Sequence, residues 1–168
     1  RDYDVRIQSY RSVFAGGCTL DAVEWIGRAL LGDAVRRSHP ATYVLDLLTD
    51  LVEKSLIRTQ PDLGDAVRFG MLETIREYGG EQLLAAGEAE TARRSHLAWC
   101  LHLAEKADPL LLSAEQEHWQ ARLRIEHDNL RAALGGALAH GDIEPALRLC
   151  AALYRFWAND GRYEEGRQ

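Results

Sequence analysis

The sequence has little of what marks secreted, membrane-bound or disulfide-linked chains. Its three cysteines, Cys18, Cys100 and Cys150, are an odd and widely spaced set, which argues against a disulfide framework and favours small core residues in a reducing compartment. The longest clean apolar stretch near the end, residues 149–154, is far shorter than the roughly 20 residues of a membrane span. The first six residues have neither the charge pattern nor the cleavage site of a signal peptide. We therefore expect a cytoplasmic protein.

Motifs for nucleotide, metal or nucleophilic chemistry are also missing from the sequence. Neither of the two lysines, Lys54 and Lys106, follows the glycine loop that a Walker A motif requires. His96 and Cys100 share a helix face and His102 is near, but a tetrahedral metal site needs more ligands, so a buried cysteine is the favoured interpretation. The sequence predicts no catalytic residue, no metal and no cofactor, and hence no enzyme.

Acidic and histidine side chains that could act as general acids and bases lie on one predicted helix. They are Glu115, Glu117, His118, Glu126 and His127. Their spacing on a long amphipathic helix favours a solvated face over an active site.

The first half of the chain shows three helical patterns followed by two strand patterns. A short helix over residues 5–14 is predicted to end at the pair Gly16 and Gly17, and Thr19 is predicted to cap a second helix that Gly32 closes. A third helix is predicted over residues 41–54, followed by a hairpin of residues 55–60 and 67–71. Three helices and a hairpin are the element order of a winged helix.

Everything after the hairpin is predicted to be helical. Helices are expected over residues 73–84, 89–107, 113–140 and 142–157, and Ser113 with Gln116 forms a capping-box pattern. Residues 141–146 and 161–166 are similar to each other and to the turn of tetratricopeptide-type repeats. The predicted fold is mainly α, with a winged-helix-like module over residues 1–84 and tetratricopeptide-like antiparallel helices over residues 85–168. We expect this helical region to be truncated at its C-terminal end, leaving Tyr154 and Trp157 exposed where a further repeat would follow.

Charge separates two interpretations of the winged-helix pattern. The net charge is −6, and the third helix carries three acids against one base. Its charged residues are Asp46, Asp50, Glu53 and Lys54, and those of the wing are Arg58, Asp62, Asp65 and Arg68. Because contacts to phosphate dominate DNA affinity, this distribution disfavours DNA binding by the module and favours protein contacts.

Four strings together resemble a known family. They are SVFAGGCTL at residues 12–20, LVEKSLI at 51–57, MLETIREY at 71–78 and EHDNLRAAL at 126–134. In this order they resemble the region that follows the ATPase core in bacterial STAND-class signal-transduction ATPases, known as LuxR-type or AfsR-type transcriptional regulators. The resemblance implies an upstream nucleotide-binding domain as partner, a winged helix that moves with nucleotide state, and downstream helical repeats that sense a ligand or partner. It leaves homo-oligomerisation open.

The same resemblance singles out the segment after the hairpin. In related branches of the class a Met-His-Asp motif contacts the bound diphosphate, and Met71, Leu72 and Glu73 occupy the corresponding place. Leu72 cannot make that contact, so we predict a packing hinge formed by these three residues and Arg76. Leu72, Ile75 and Tyr78 are expected to form a core stripe, and Gly79 with Gly80 to kink or fray the helix.

A polar motif interrupts the apolar pattern of the long helix. It consists of Glu126, His127, Asp128, Asn129 and Arg131. Asp128 and Arg131 are spaced to pair on the helix surface, whereas Asn129 beside an apolar stripe is expected to make a structural hydrogen bond, preferably to backbone, that joins neighbouring helices. We interpret this set as an inter-helix structural motif.

These observations favour a non-catalytic regulatory segment that couples an ATPase to a helical sensor through protein contacts. Two alternatives stay open: a DNA-binding winged-helix transcription factor with a helical dimerisation tail, and a free helical-repeat scaffold.

Overall fold

The computed structural model describes residues 9–36, 42–63 and 66–160. Within these ranges the chain forms seven α-helices and one three-stranded antiparallel sheet, which confirms the predicted mainly α class. Two compact units are present, Arg1–His96 and Leu97–Gln168. None of the helices in the described ranges is long and apolar enough to cross a membrane.

The first unit follows the element order of a winged helix. A 3-10 helix, Arg11–Val13, precedes β1 (Cys18–Thr19), α1 (Leu20–Arg36), α2 (Thr42–Glu53), β2 (Ile57–Pro61), β3 (Val67–Met71), α3 (Glu73–Ala85) and the start of α4 (Ala89–Leu110). Its core consists of side chains that are 6% exposed or less: Tyr10, Phe14, Cys18, Val23, Ile26, Leu48, Leu51, Ile57 and Phe69. Of the first predicted helix, residues 5–8 lie outside the described residues.

The sheet contains the predicted hairpin and one strand that was not predicted. β2 pairs with β3, and β1 pairs with the other edge of β3, so that Cys18 lies opposite Phe69. Gly17, at φ +75°, lets the chain enter β1, because a Cβ on it would stand 2.8 Å from the Phe69 carbonyl oxygen. A two-residue strand has no alternating pattern, and its position becomes evident only when β3 is in place.

The ends of α1 follow one prediction and contradict another. The Ala22 amide donates a 3.4 Å hydrogen bond to the Thr19 hydroxyl, as expected for an N-cap. Gly32 does not end the helix, which continues to Arg36. A single glycine costs only about 1 kcal/mol in a helix, and this cost does not by itself end one.

The second unit contains the rest of α4 and three further helices, α5 (Gln116–Ile125), α6 (His127–His140) and α7 (Ile143–Asp160). The single helix predicted over residues 113–140 is wrong, because the chain leaves helical geometry at Glu126. The predicted capping box does not form: the Ser113 hydroxyl bonds to the Leu110 carbonyl and the Glu115 amide within a turn.

The packing of α6 and α7 is set by a left-handed turn. Gly141 has φ +77°, and the Asp142 amide donates to the Ala137 carbonyl at 2.9 Å, which completes a Schellman-type helix end. Leu138, close to this turn, is 51% exposed. Trp157 is only 7% exposed, and its expected exposure is therefore wrong, whereas Tyr154 is 66% exposed. The second turn motif, residues 161–166, lies outside the described residues.

Candidate functional site

The surface that would face DNA in a winged helix is acidic along α2. Asp46 and Glu53 are exposed, and the half-buried Asp50 carboxylate pairs with the Lys54 ammonium at 2.5 Å. The one cation at the end of this helix is therefore already compensated by an acid four residues earlier. The exposed face of α2 would repel a phosphate backbone.

Arg68 of the wing is buried, not exposed. Its guanidinium donates to the carbonyls of Gly16 at 2.8 Å and Gly17 at 2.9 Å, and it lies 4.0 Å from the Asp62 carboxylate, which is itself fully buried. With 3% exposure, Arg68 holds the β1 entry loop against β3 and is not available to a nucleic acid. Arg58 remains as an exposed cation of the hairpin.

The face of β3 that carries Val67, Phe69 and Met71 is only partly buried. Val67 is 47% exposed and Met71 is half-buried, whereas the neighbours Arg68 and Phe69 are both buried. β3 is hydrogen-bonded along both edges, and strict alternation of buried and exposed residues does not hold along it. In the sequence, the Gly16–Gly17 pair was the available signal that the chain comes close to Arg68 there.

A second buried arginine, which sequence reasoning missed, reaches the same strand. Arg11 is 2% exposed; its Nη2 donates to the Phe69 carbonyl at 3.4 Å and its Nε to the Cys18 sulfur at 3.4 Å. Its guanidinium carbon lies 6.0 Å from the centre of the Phe69 ring, and its buried Nη1 has no hydrogen-bond partner. Arg11 thereby fixes β3 two residues before the strand ends.

The predicted hinge residues lie where β3 passes directly into α3. Met71 is the last residue of the strand, and Leu72, in extended conformation at φ −64° and ψ 144°, is the single residue before the helix begins at Glu73. The Arg76 amide donates to the Leu72 carbonyl at 2.9 Å, and its guanidinium bonds to Glu73. This hydrogen-bonded pair lowers the pKa of the Glu73 carboxyl and raises the pKa of Arg76. Leu72, Glu73 and Arg76 therefore belong to one hydrogen-bonded turn, and Met71 directly precedes it.

α3 packs against the rest of the first unit through a different face from the one predicted. Leu72 and Ile75 are half-buried, but Tyr78 is 56% exposed, so the predicted core stripe is wrong there. Gly79 is buried instead, and a Cβ on it would stand 3.0 Å from the Ser12 side chain. The expected kink or fray is absent because α3 runs unbroken from Glu73 to Ala85.

The predicted inter-helix motif centres on a buried carboxylate at the break between α5 and α6. Glu126 is 1% exposed and has φ −86° and ψ 1°. It accepts a 2.7 Å hydrogen bond from the Asn129 side-chain amide and lies 3.3 Å from the Arg122 guanidinium. A charged group without such partners would be costly to bury, and the two donors supply the compensation.

Asn129 contacts α4 through its backbone carbonyl, whereas its side-chain amide donates to Glu126. It is fully buried, and its backbone carbonyl accepts a 3.6 Å hydrogen bond from the Cys100 thiol. Burial raises the pKa of Cys100 well above its ordinary value, and the nearby Glu126 charge adds to this rise. Asp128 lies 3.7 Å from His127, and the Arg131 side chain is exposed.

The candidate metal ligands do not converge. Over the described part of the chain no three His, Cys, Asp or Glu side chains are grouped so that they could hold a metal ion. His96 is buried and packs edge-on against Phe14, with ring centres 4.8 Å apart, and Cys18 and Cys100 are buried free thiols, as expected for core residues. Glu115, one of the candidate acids, accepts a 3.2 Å hydrogen bond from the Trp119 indole.

Comparison with known proteins finds relatives among regulators. The chain is 38% identical over 125 residues, which is 73% of its length, to proteins named "Putative HTH-type transcriptional regulator" from Mycobacterium tuberculosis and Mycobacterium bovis. The matched stretch is 14% of the length of each of these curated relatives. No family model matches the chain. No solved structure matches it with significance.

Proposed function

Because the chain is related to one stretch of proteins named as transcriptional regulators, we propose that it is a non-catalytic regulatory segment of a bacterial transcription regulator of the STAND type. In this proposal the winged-helix-like unit contacts an upstream nucleotide-binding domain, and the helical unit belongs to a sensor region. The partners are the protein's own domains, and the protein works in the cytoplasm.

One observation carries the proposal: the surface that would read DNA is acidic along α2, and Arg68 of the wing is buried in the fold. α2 exposes Asp46 and Glu53, and Arg68 is held by the carbonyls of Gly16 and Gly17. Among the described residues of this face Lys54 is paired with Asp50 and Arg68 is buried, so Arg58 is left as an exposed cation against two exposed acids. The unit thus retains the shape of a winged helix with little electrostatic attraction to phosphate. This favours a protein partner for the unit.

The joint between β3 and α3 is suited to transmit movement within the unit. Only Leu72 separates the strand from the helix, and Arg11 holds the strand at Phe69. A partner that displaces the hairpin would therefore act on the start of α3 through a very short connection. The turn closed by Glu73 and Arg76 keeps the first residues of that helix together.

A second candidate function is DNA binding by the winged-helix-like unit, and the name given to the relatives favours it. Those proteins are described as HTH-type, and the element order of the first unit is that of a helix-turn-helix variant. The relatives are much longer than the matched stretch, so their DNA-binding part need not correspond to this chain.

Fluorescence anisotropy with a pool of labelled DNA duplexes separates the two candidates. We expect no sequence-dependent binding by the chain at about 150 mM salt, where weak surface attraction is screened. A triple variant, Asp46→Lys with Asp50→Lys and Glu53→Lys, should gain salt-sensitive affinity and so shows that the assay detects binding through this face. Sequence-dependent binding by the unmodified chain at that salt concentration would favour the second candidate.

Hydrogen exchange tests the coupling itself. In the protein at its natural length, we expect the amides of residues 71–76 to exchange at different rates with bound ADP and bound ATP. The chain alone should show no micromolar affinity for Mg-ATP by calorimetry, because it has no phosphate-binding glycine loop. Identical exchange in both nucleotide states, or tight binding of ATP by the chain alone, would contradict the proposal.

A further inference from the structure

The outer side of α7 carries an apolar stripe whose large side chains are more than half exposed. Ile143 is 56% exposed, and Leu147 and Tyr154 are each 66% exposed. With the half-buried Cys150 they follow the four-three-four spacing of a coiled-coil seam, and the exposed Ala151 lies beside them. The opposite side of the helix is buried: Leu149, Leu153 and Phe156 are 1% exposed or less.

We propose that this stripe, defined by Ile143, Leu147, Cys150 and Tyr154, is the contact surface for a second copy of the chain, packed antiparallel across a two-fold axis near Cys150 and Ala151. The interface goes beyond the proposed coupling role and does not depend on it.

The size of the stripe agrees with a self-association surface. Its three large side chains expose on the order of 400 Å² of apolar surface, which is the size of patch that marks interaction sites on soluble proteins. Two copies with their flanking residues would bury roughly 1,000 Å² in total, the lower limit of specific interfaces. The contact is therefore expected to be a moderate, concentration-dependent one.

The order of charges beside the stripe selects the antiparallel arrangement. Glu144 lies near the start of α7, and Arg148 and Arg155 lie further along the same flank. Within one copy Arg148 pairs with Glu144 and Glu105, and Arg155 pairs with Asp108. Exposed ion pairs of this kind are weak, so their partners can be exchanged across an interface. In an antiparallel pair Glu144 approaches the second copy's Arg155, and this occurs twice across the axis. A parallel pair would instead place each charge against its own kind, which is unfavourable.

The small residues lie where two helices would approach most closely. Ala151 and Cys150 are at the proposed axis, and the larger Leu147 and Tyr154 lie one turn away on either side. In antiparallel packing Leu147 of one copy fits beside Tyr154 of the other over the small centre. No other described exposed apolar residues follow this seam spacing along a single helix.

Cys150 provides a direct test, because the axis brings it close to its own counterpart. The other two cysteines are 1% exposed and protected from mild oxidants. We expect sedimentation of the chain at concentrations up to the order of 100 µM to show a monomer–dimer equilibrium. Copper-phenanthroline oxidation should yield a disulfide-linked dimer, and Cys150→Ser should lose this crosslink while keeping the association.

Matched surface variants identify the contact. Leu147→Glu should abolish both association and crosslink, whereas Leu112→Glu, at a residue 71% exposed in the α4–α5 turn, should leave both unchanged. Circular dichroism checks that both variants fold.

Three results would overturn the proposal. The first is a chain that stays monomeric over the whole concentration range. The second is equal loss of association in the two leucine variants. The third is a protein that, at its natural length, is monomeric and shields Cys150 from thiol reagents, since another part of that chain would then cover the stripe.

Discussion

The side-chain amide of Asn129 donates a 2.7 Å hydrogen bond to the carboxylate of Glu126, three residues earlier, and both side chains are buried. The pair stands at the break between α5 and α6, where the Leu130 amide continues the chain into helix by bonding to the Glu126 carbonyl at 2.9 Å. The hydrogen bond therefore lies at the residue where helical geometry is interrupted.

Asn129→Ala should lower the free energy of unfolding by about 2 kcal/mol, because the buried Glu126 carboxylate loses a close donor. Asp128→Ala, at the next position but 70% exposed, should change it by less than about 0.5 kcal/mol. Urea unfolding followed by circular dichroism measures both variants. Equal effects in the two would show that the Glu126–Asn129 bond contributes little.

Arg68→Ala should destabilise the first unit by about 3 kcal/mol, because it leaves the buried Asp62 carboxylate and two loop carbonyls with fewer donors. Arg58→Ala, on the same hairpin but exposed, should have little effect. Thermal unfolding compares the two. If Arg58→Ala were the more damaging change, the structural role assigned to Arg68 would be wrong.

The neighbouring glycines of α3 should respond differently to alanine. Gly80→Ala should stabilise the protein by about 0.5 to 1 kcal/mol, because alanine favours helix and a Cβ there meets nothing within 4 Å. Gly79→Ala gains the same propensity but presses its Cβ to 3.0 Å from the Ser12 side chain. We expect unfolding experiments to rank Gly79→Ala below Gly80→Ala by about 1 kcal/mol.

The Glu90 carboxyl at the start of α4 should titrate at unusually low pH. Hydrogen bonds from Arg93 and Arg94 lower its pKa to about 2, from an ordinary value of 4.5. Because the folded-state pKa is the lower one, the stabilising contribution of this group is complete above pH 4.5 and is lost as the pH falls towards 2.

NMR titration of the Glu90 side chain gives this midpoint directly. Arg93→Gln should move it upward, and raised salt should move it in the same direction, since the group is exposed. An unshifted midpoint in the unmodified chain would show that these surface hydrogen bonds are not maintained in solution.

Features of the fold that depend only on residues close together in the sequence could be predicted. The Thr19 cap and the β2–β3 hairpin both follow from a few consecutive residues, and both were predicted. The helix break at Glu126 was missed because no glycine or proline marks it; what distinguishes the position is the buried carboxylate and its contacts with Arg122 and Asn129.

The candidate site shows the same division between local and distant contacts. The residues predicted as a hinge lie at the strand-to-helix junction, since Met71 ends β3 and Glu73 begins α3, and their hinge role stays a prediction. It could not show that Arg68 is buried, because the carbonyls that hold this side chain belong to Gly16 and Gly17, more than fifty residues earlier. Residue type alone suggests an exposed arginine.

The pairing of Cys18 with Phe69 has a consequence for how the chain acquires its structure. These residues are separated by 51 positions, so the sheet cannot be completed during synthesis until residue 69 has left the ribosome. Until then the apolar side chains around β1 have no strand to cover them, and closing such a long loop carries a large entropic cost. The first unit is therefore expected to fold late relative to its length, with β1 docking as a slow and chaperone-sensitive step.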